Sequence, residues 1–106
     1  MRYEVMAMDI ILEQNGSELT IRLKGRLDNS TSPQLSETVA SSLSGITSLI
    51  FDFTDLAYVS SAGLRVLLTA QKTMKKQGKM VVRHPSEDVI DIFEITGFNN
   101  ILTIEK

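Results

Sequence analysis

The residue pattern predicts an α/β domain built on a mixed sheet of five strands. Three observations carry this prediction. An Asn15-Gly16 pair separates two apolar runs near the start of the chain; helix-start signals stand at Thr31-Ser32, Ser60 and Ser86; and a short apolar run follows each predicted helix. The hairpin makes the opening strand pair antiparallel, and the βα alternation after it implies mainly parallel pairing through right-handed crossovers. The predicted order is ββαβαβαβ. At 106 residues the chain has the length of one domain, spanning 1–106.

The first strand is expected from about Met8 to Gln14. The second runs through Glu18–Lys24, where Leu19, Ile21 and Leu23 alternate with polar residues, as in a strand with one buried face. Gly25–Asp28 is read as the end of the hairpin. Thr31-Ser32-Pro33-Gln34 has the features of a helix start: a hydroxyl cap, a glutamine three residues on and a proline in the first turn. Leu35, Val39 and Leu43 then form an apolar stripe, and Gly45 stops the helix. Leu49–Phe53 reads as an interior strand and Thr54–Val59 as a loop. A second helix follows, from Ser60-Ser61 to about Gln77. Leu64, Leu67, Leu68, Gln71 and Met74 mark its inner face, with Val66 and Ala70 beside it; Lys72, Lys75 and Lys76 suit its C-terminal dipole, and Gly78 closes it. Met80–Val82 is the fourth strand. Ser86 starts a third helix with Glu87 and Asp88 in its first turn and Val89, Ile92 and Phe93 inward, Gly97 ends it, and Ile101–Ile104 is the last strand.

Composition removes several classes of function. The formal net charge is −2, which disfavours direct nucleic-acid binding. Cysteine is absent, so neither a disulfide framework nor a thiolate metal site is available. The opening MRYEVMAMDIIL carries Glu4 and Asp9 among its apolar residues and lacks a secretory-signal pattern. No run reaches the roughly 20 apolar residues of a membrane span. A cytoplasmic protein without membrane insertion is expected. His84 is the only histidine and stands in a loop before Pro85, a poor position for a Ser-His-acid triad. There is no Walker loop or dinucleotide glycine turn, and no metal-ligand cluster, so no cofactor or metal is expected. Asp52 and Asp55 do not form an obvious carboxylate pair.

The informative segment is DLAYVSSAGLR, Asp55 to Arg65, which sets two hydroxyls at a strand-to-helix junction. Two readings of it stand side by side. In the first, Ser60 caps the helix and Ala62 and Gly63 let it lie close to the sheet. In the second, Ser61 is presented to a modifying enzyme at a helix N-terminus, where free N–H groups favour an added anion and the small residues leave room for another protein. Arg65, four residues on, shares a face with Ser61 and opposes the macrodipole; it is either solvated or placed to pair with a phosphate.

Taken together, these residues resemble the STAS domains, in particular the bacterial anti-sigma factor antagonists. The likeness is carried by the opening hairpin, GRLD at Gly25–Asp28, LIFDFTDLAYVSSAGLRVLL at Leu49–Leu68, the KMVV strand and FEITGFNNI at Phe93–Ile101. The resemblance implies phosphorylation of Ser61 by a partner, an anti-sigma factor with a histidine-kinase-like ATPase fold and serine-kinase activity. Unphosphorylated antagonist binds that partner and frees the sigma factor; phosphorylated antagonist is released, and a metal-dependent serine phosphatase resets it. By the same likeness Asp28, Ser60, Ser61, Ala62, Gly63, Leu64 and Arg65 form the partner-binding surface. Many members carry an acid where this chain has Ser60, which makes Ser60 a second candidate acceptor. Competing readings are a nucleotide-binding or hydrolysing domain, a receiver phosphorylated on Asp52 or Asp55, and a STAS scaffold in a stress-signalling or transport complex.

Overall fold

The computed structural model describes residues 8–106. The reading of Glu4 and its neighbours falls outside them. Five strands, β1 (Asp9–Asn15), β2 (Glu18–Leu27), β3 (Ser48–Val59), β4 (Lys79–Arg83) and β5 (Ile104–Glu105), lie in the order β1-β2-β3-β4-β5. The β1–β2 pair is antiparallel and the other three pairs are parallel. Three helices, α1 (Ser32–Ser42), α2 (Ser61–Lys75) and α3 (Glu87–Thr96), make the crossovers. Because strand order follows chain order, right-handed crossovers place all three helices on one face of the sheet. The core agrees: Leu19, Ile21 and Leu23 of β2, Phe51 and Phe53 of β3 and Val82 of β4 share one cluster with Leu35, Leu67, Val89 and Phe93 of the helices.

The opposite sheet face carries a row of charges beside the apolar pair Ile50 and Val81. Arg22, Asp52, Arg83 and Glu105 are consecutive partners in the strand register, so charges alternate across four strands. Arg22 reaches Asp55 at 2.8 Å and Arg83 reaches Glu105 at 3.1 Å.

Several local expectations need correction. The hairpin forms, but Asn15 pairs with Glu18, so the turn is Gly16-Ser17. Gly16 alone takes a positive φ, 65°, as a turn with glycine at its first central position requires. β2 does not stop with the hairpin: Gly25–Leu27 leave β1 behind and continue along β3. The segment read as a loop, Thr54–Val59, is the second half of β3. Its inward residues, Phe53, Leu56 and Val59, are three apart instead of two, because the β2–β3 register shifts twice, between Arg22 and Lys24 and between Gly25 and Arg26. Thr31 precedes α1 without a side-chain cap bond. Its hydroxyl is already engaged, accepting from the Asp28 N–H and donating to the Arg26 carbonyl, both at 2.8 Å.

α2 ends at Lys75, and its buried face is turned toward Val66 and Ala70 because α1 packs beside it; Leu68 and Gln71 are half-buried. α3 behaves as read, capped by Ser86 Oγ on the Val89 N–H and ended by Gly97 at φ 80°. Ile101–Leu102 is not strand. A 3-10 turn, Phe98–Asn100, precedes it, Leu102 is buried, and pairing begins only at Ile104.

Gly78 does more than end α2. A Cβ there would overlap the Thr47 backbone carbonyl, next to the Lys79 N–H bond to the same oxygen at 3.0 Å. Gly78→Ala is therefore expected to cost about 2 kcal/mol or more, since backbone cannot rotate away. Gly16→Ala meets open space and carries only the left-handed penalty of about 1–2 kcal/mol. Urea unfolding midpoints of the two variants would test this order.

Candidate functional site

The second half of β3 runs directly into α2, and the join is held against the end of β2. The Ser60 N–H donates to the Leu27 carbonyl at 2.8 Å. Ser60 has extended backbone, and its Oγ accepts the Gly63 N–H at 3.2 Å while its carbonyl accepts from Leu64 at 2.9 Å. This is an N-cap, and Ser60 is only 9% exposed. Gly63 is needed for a different reason. A Cβ on it would stand 2.6 Å from Leu27 Cγ and 3.1 Å from Leu27 O. The space that Gly63 leaves is thus filled by Leu27 within the domain, which corrects the reading of it as room for another protein. Leu64 is likewise buried in the core.

What remains outside is Ser61, Ala62 and Arg65. Ser61 is the first helical residue and is exposed, Ala62 is half-buried and Arg65 is exposed. No acid stands in the first turn of α2, whereas α3 has Glu87 and Asp88 in its own. The positive end of the α2 dipole therefore has no acid of its own helix at Ser61, and Arg65 adds to it.

Asp28 closes the other side. Its Oδ1 accepts from Ser30 Oγ at 2.8 Å, Ser30 N at 3.0 Å and Thr31 N at 3.2 Å. The Ser30 hydroxyl, with the Thr31 and Ser30 amides, holds the carboxyl below the ordinary carboxylate range against the opposing effect of desolvation. Asp28, Asn29, Ser30, Tyr58 and Ser60 line an open cavity of about 340 Å³. The GRLD and SSAG segments, more than 30 residues apart in the chain, thus meet at one surface.

Two residues here escaped the sequence reading. Arg26 lies with its guanidinium 4.4 Å from the Tyr58 ring centroid and its Nε 3.9 Å from Asp28. They are partners in the β2–β3 register. Reading Thr54–Val59 as a loop hid that pairing; an alternation test allowing a bulge would have found it.

The other sequence candidates are occupied structurally. Burial pushes the Asp52 carboxyl up, but hydrogen bonds from the Thr54 hydroxyl and amide, with Arg22 and His84 nearby, bring it below its ordinary value. Asp55 is hydrogen-bonded to Arg22, the same cation that lies near Asp52. His84 is exposed at φ 58°. Among the described residues no group of histidine and acidic side chains is arranged to hold a metal ion, and no helix is long and apolar enough to cross a membrane.

The STAS domain profile matches residues 9–106. The chain belongs to the STAS domain family. Among curated relatives, the anti-sigma-B factor antagonist of Bacillus subtilis is 29% identical over 100 residues, covering 93% of this chain and 92% of that protein. The anti-sigma-B factor antagonist of Listeria monocytogenes is 32% identical over 99 residues, 91% of this chain and 86% of its own length. Among solved structures, the anti-sigma factor antagonist SpoIIAA in its unphosphorylated form superposes with a TM-score of 0.80 at 22% identity, covering 92% of this chain and 89% of that one. The Bacillus cell fate determinant SpoIIAA in the phosphorylated form gives 0.72 at 20%, covering 92% of each. These likenesses establish the fold, an opening antiparallel pair followed by parallel strands with three helices.

Two outcomes are expected from this geometry. Ser60→Ala removes the cap and is expected to cost about 0.5–2 kcal/mol, while Ser61→Ala stays within about 0.5 kcal/mol of the parent, both read by urea unfolding. Asp28 has a lowered folded pKa, so the stability it adds is present above the unfolded value of about 3.9 and is lost as pH falls through the folded value. Asp28→Asn keeps an acceptor for the turn but cannot titrate. The stability gap between parent and variant is expected to narrow as pH falls below about 4 in chemical unfolding series; a constant gap would contradict the assignment.

Proposed function

We propose that this STAS domain is an anti-sigma factor antagonist in a cytoplasmic partner-switching pathway, with Ser61 as the phosphoacceptor. The observation that carries the reading is the division of labour between the two serines. Ser60 is buried with its hydroxyl capping α2, and Ser61 is exposed at the first helical position. The partner is an anti-sigma factor with a histidine-kinase-like ATPase fold and serine-kinase activity. It moves the γ-phosphoryl of ATP onto Ser61 Oγ, which gives up its proton, and ADP leaves. A metal-dependent serine phosphatase hydrolyses the ester and restores the hydroxyl. The names of the relatives support the antagonist role, and the phosphorylated form of the SpoIIAA fold supports a phosphoprotein reading.

The domain itself supplies no catalysis in this scheme. A phosphate adds about −1.5 to −2 charge at pH 7. On the α2 side that charge meets the helix N-terminus and Arg65, so the fold tolerates it. On the partner side it adds bulk and unpaired charge to a close-packed surface, and the complex separates. Asp28, already held as a carboxylate beside Ser60, raises the negative potential there.

Mixing each variant with the cognate ATPase and following the complex by size-exclusion chromatography tests this. Ser61→Ala is expected to bind and to stay bound when ATP is added; Ser61→Asp is expected to fold and bind poorly. Release of Ser61→Ala by ATP, with retention of Ser60→Ala, would move the acceptor to Ser60. Arg65→Ala is expected to lower the melting temperature of the phosphorylated protein more than that of the unmodified one; equal shifts would remove Arg65 from the phosphate's surroundings.

A further inference from the structure

We infer that the groove between α1 and α2 is a docking site for an acidic amphipathic segment of a protein partner. The inference rests on the reading of the Ser61 surface as partner-binding and extends that surface along the helix pair. Two openings of about 280 and 330 Å³ share Ser36, Val66 and Thr69, so they form one channel. It begins beside Ala62 and Arg65, one turn from Ser61. It ends at Gln77, whose side-chain amide donates to the Leu43 and Ile46 carbonyls.

The floor is apolar, made by Val39, Leu43 and Val66, and the walls are small residues such as Ala40 and Thr73. Such a channel accepts the apolar anchors of an amphipathic helix laid along it. Charge then selects the occupant. From Ser61 to its C-cap, α2 carries Arg65, Lys72, Lys75 and Lys76 and no acid. At 100° per residue, Arg65, Lys72 and Lys76 cluster around Thr69 along the groove's α2 rim, with Ser61 at the head of that ridge. The ion pairs among the described residues engage Arg22, Arg26 and Arg83, and none uses a cation of α2. The α1 side offers one acid, Glu37, while the domain's acidic helix face, Glu87, Asp88, Asp91 and Glu94, belongs to α3. An acidic segment is therefore attracted to the rim and a basic one repelled.

The probe is a fluorescein-labelled amphipathic peptide of about five helical turns, with leucines on one face and flanking glutamates, compared with an isomer carrying lysines instead. Full-length ¹⁵N-labelled protein is expected to show amide shifts at Ala40, Val66, Thr69 and Thr73 with the glutamate peptide. Anisotropy is expected to give it about tenfold tighter binding than the lysine isomer, with that preference lost in a Lys72→Glu/Lys76→Glu variant of unchanged urea midpoint. Equal binding of both peptides, shifts outside the groove, a preference surviving charge reversal, or binding only to a DNA duplex or phosphatidylserine vesicles would overturn the inference. The peptide contains no ATPase, so its binding reads the groove alone, and ATP-dependent release reads Ser61 alone.

Discussion

The structure depends on how α2 is seated on the end of β2. One residue, Leu27, receives both parts of that seat: its carbonyl takes the Ser60 N–H, and its side chain fills the space that a Cβ on Gly63 would need. The polar contact sets where the helix begins, and the steric contact sets how closely it approaches. A larger residue at 63 would lift the first turn of α2 off the sheet and break the Ser60 cap with it. With Ser60 and Gly63 held against the end of β2, Ser61 is left on the exposed side of the first turn.

This seat also explains why β2 must outlast its hairpin. Its first part pairs with β1, but its last residues serve β3 alone. The two register shifts in that stretch bend the paired strands while keeping Leu27 opposite Val59. Asp28 then leaves the strand end and folds back into a turn stabilised by Ser30 and Thr31. The Thr31 hydroxyl, bridging Asp28 and Arg26, closes the same turn from behind. The hydroxyl that would have capped α1 is spent on holding the Asp28 loop beside Ser60.

The parts of the fold legible in the chain were those in which one local interaction decides the outcome. Asn15-Gly16 marked the hairpin because a tight turn needs a positive φ, although only Gly16 adopts one. Ser60 and Ser86 marked helix starts because each hydroxyl has a free amide three residues on. Features set by distant neighbours were hidden. Phe53, Leu56 and Val59 break the period of two because β3 carries an extra residue at each of two register shifts against β2, so the strand looked like a loop. Ile101 and Leu102 have strand-like side chains but lie in a turn held by carbonyls of Gly97 and Phe98. The candidate site divided the same way: the Ser60 cap could be read from its spacing, but Arg26 over Tyr58 depends on cross-strand register.

The contrast between α2 and α3 offers a physical basis for the proposed switch without backbone movement. Both helices are capped by a serine through the amide three residues later. α3 completes its N-terminus with two acids, and α2 has none. A helix N-terminus carries roughly half a positive charge, and supplying an anion there is worth about 0.3–1 kcal/mol at an exposed site. That is a small gain within the domain, too small to reorganise a core packed around Leu27, Phe53 and Leu67. Under that proposal, the same charge placed between two proteins would have no such compensation from a partner shaped for a neutral hydroxyl. In the proposed pathway, phosphorylation at residue 61 would therefore act almost wholly on association, the domain tolerating the anion on its own side and a partner surface fitted to the hydroxyl not doing so.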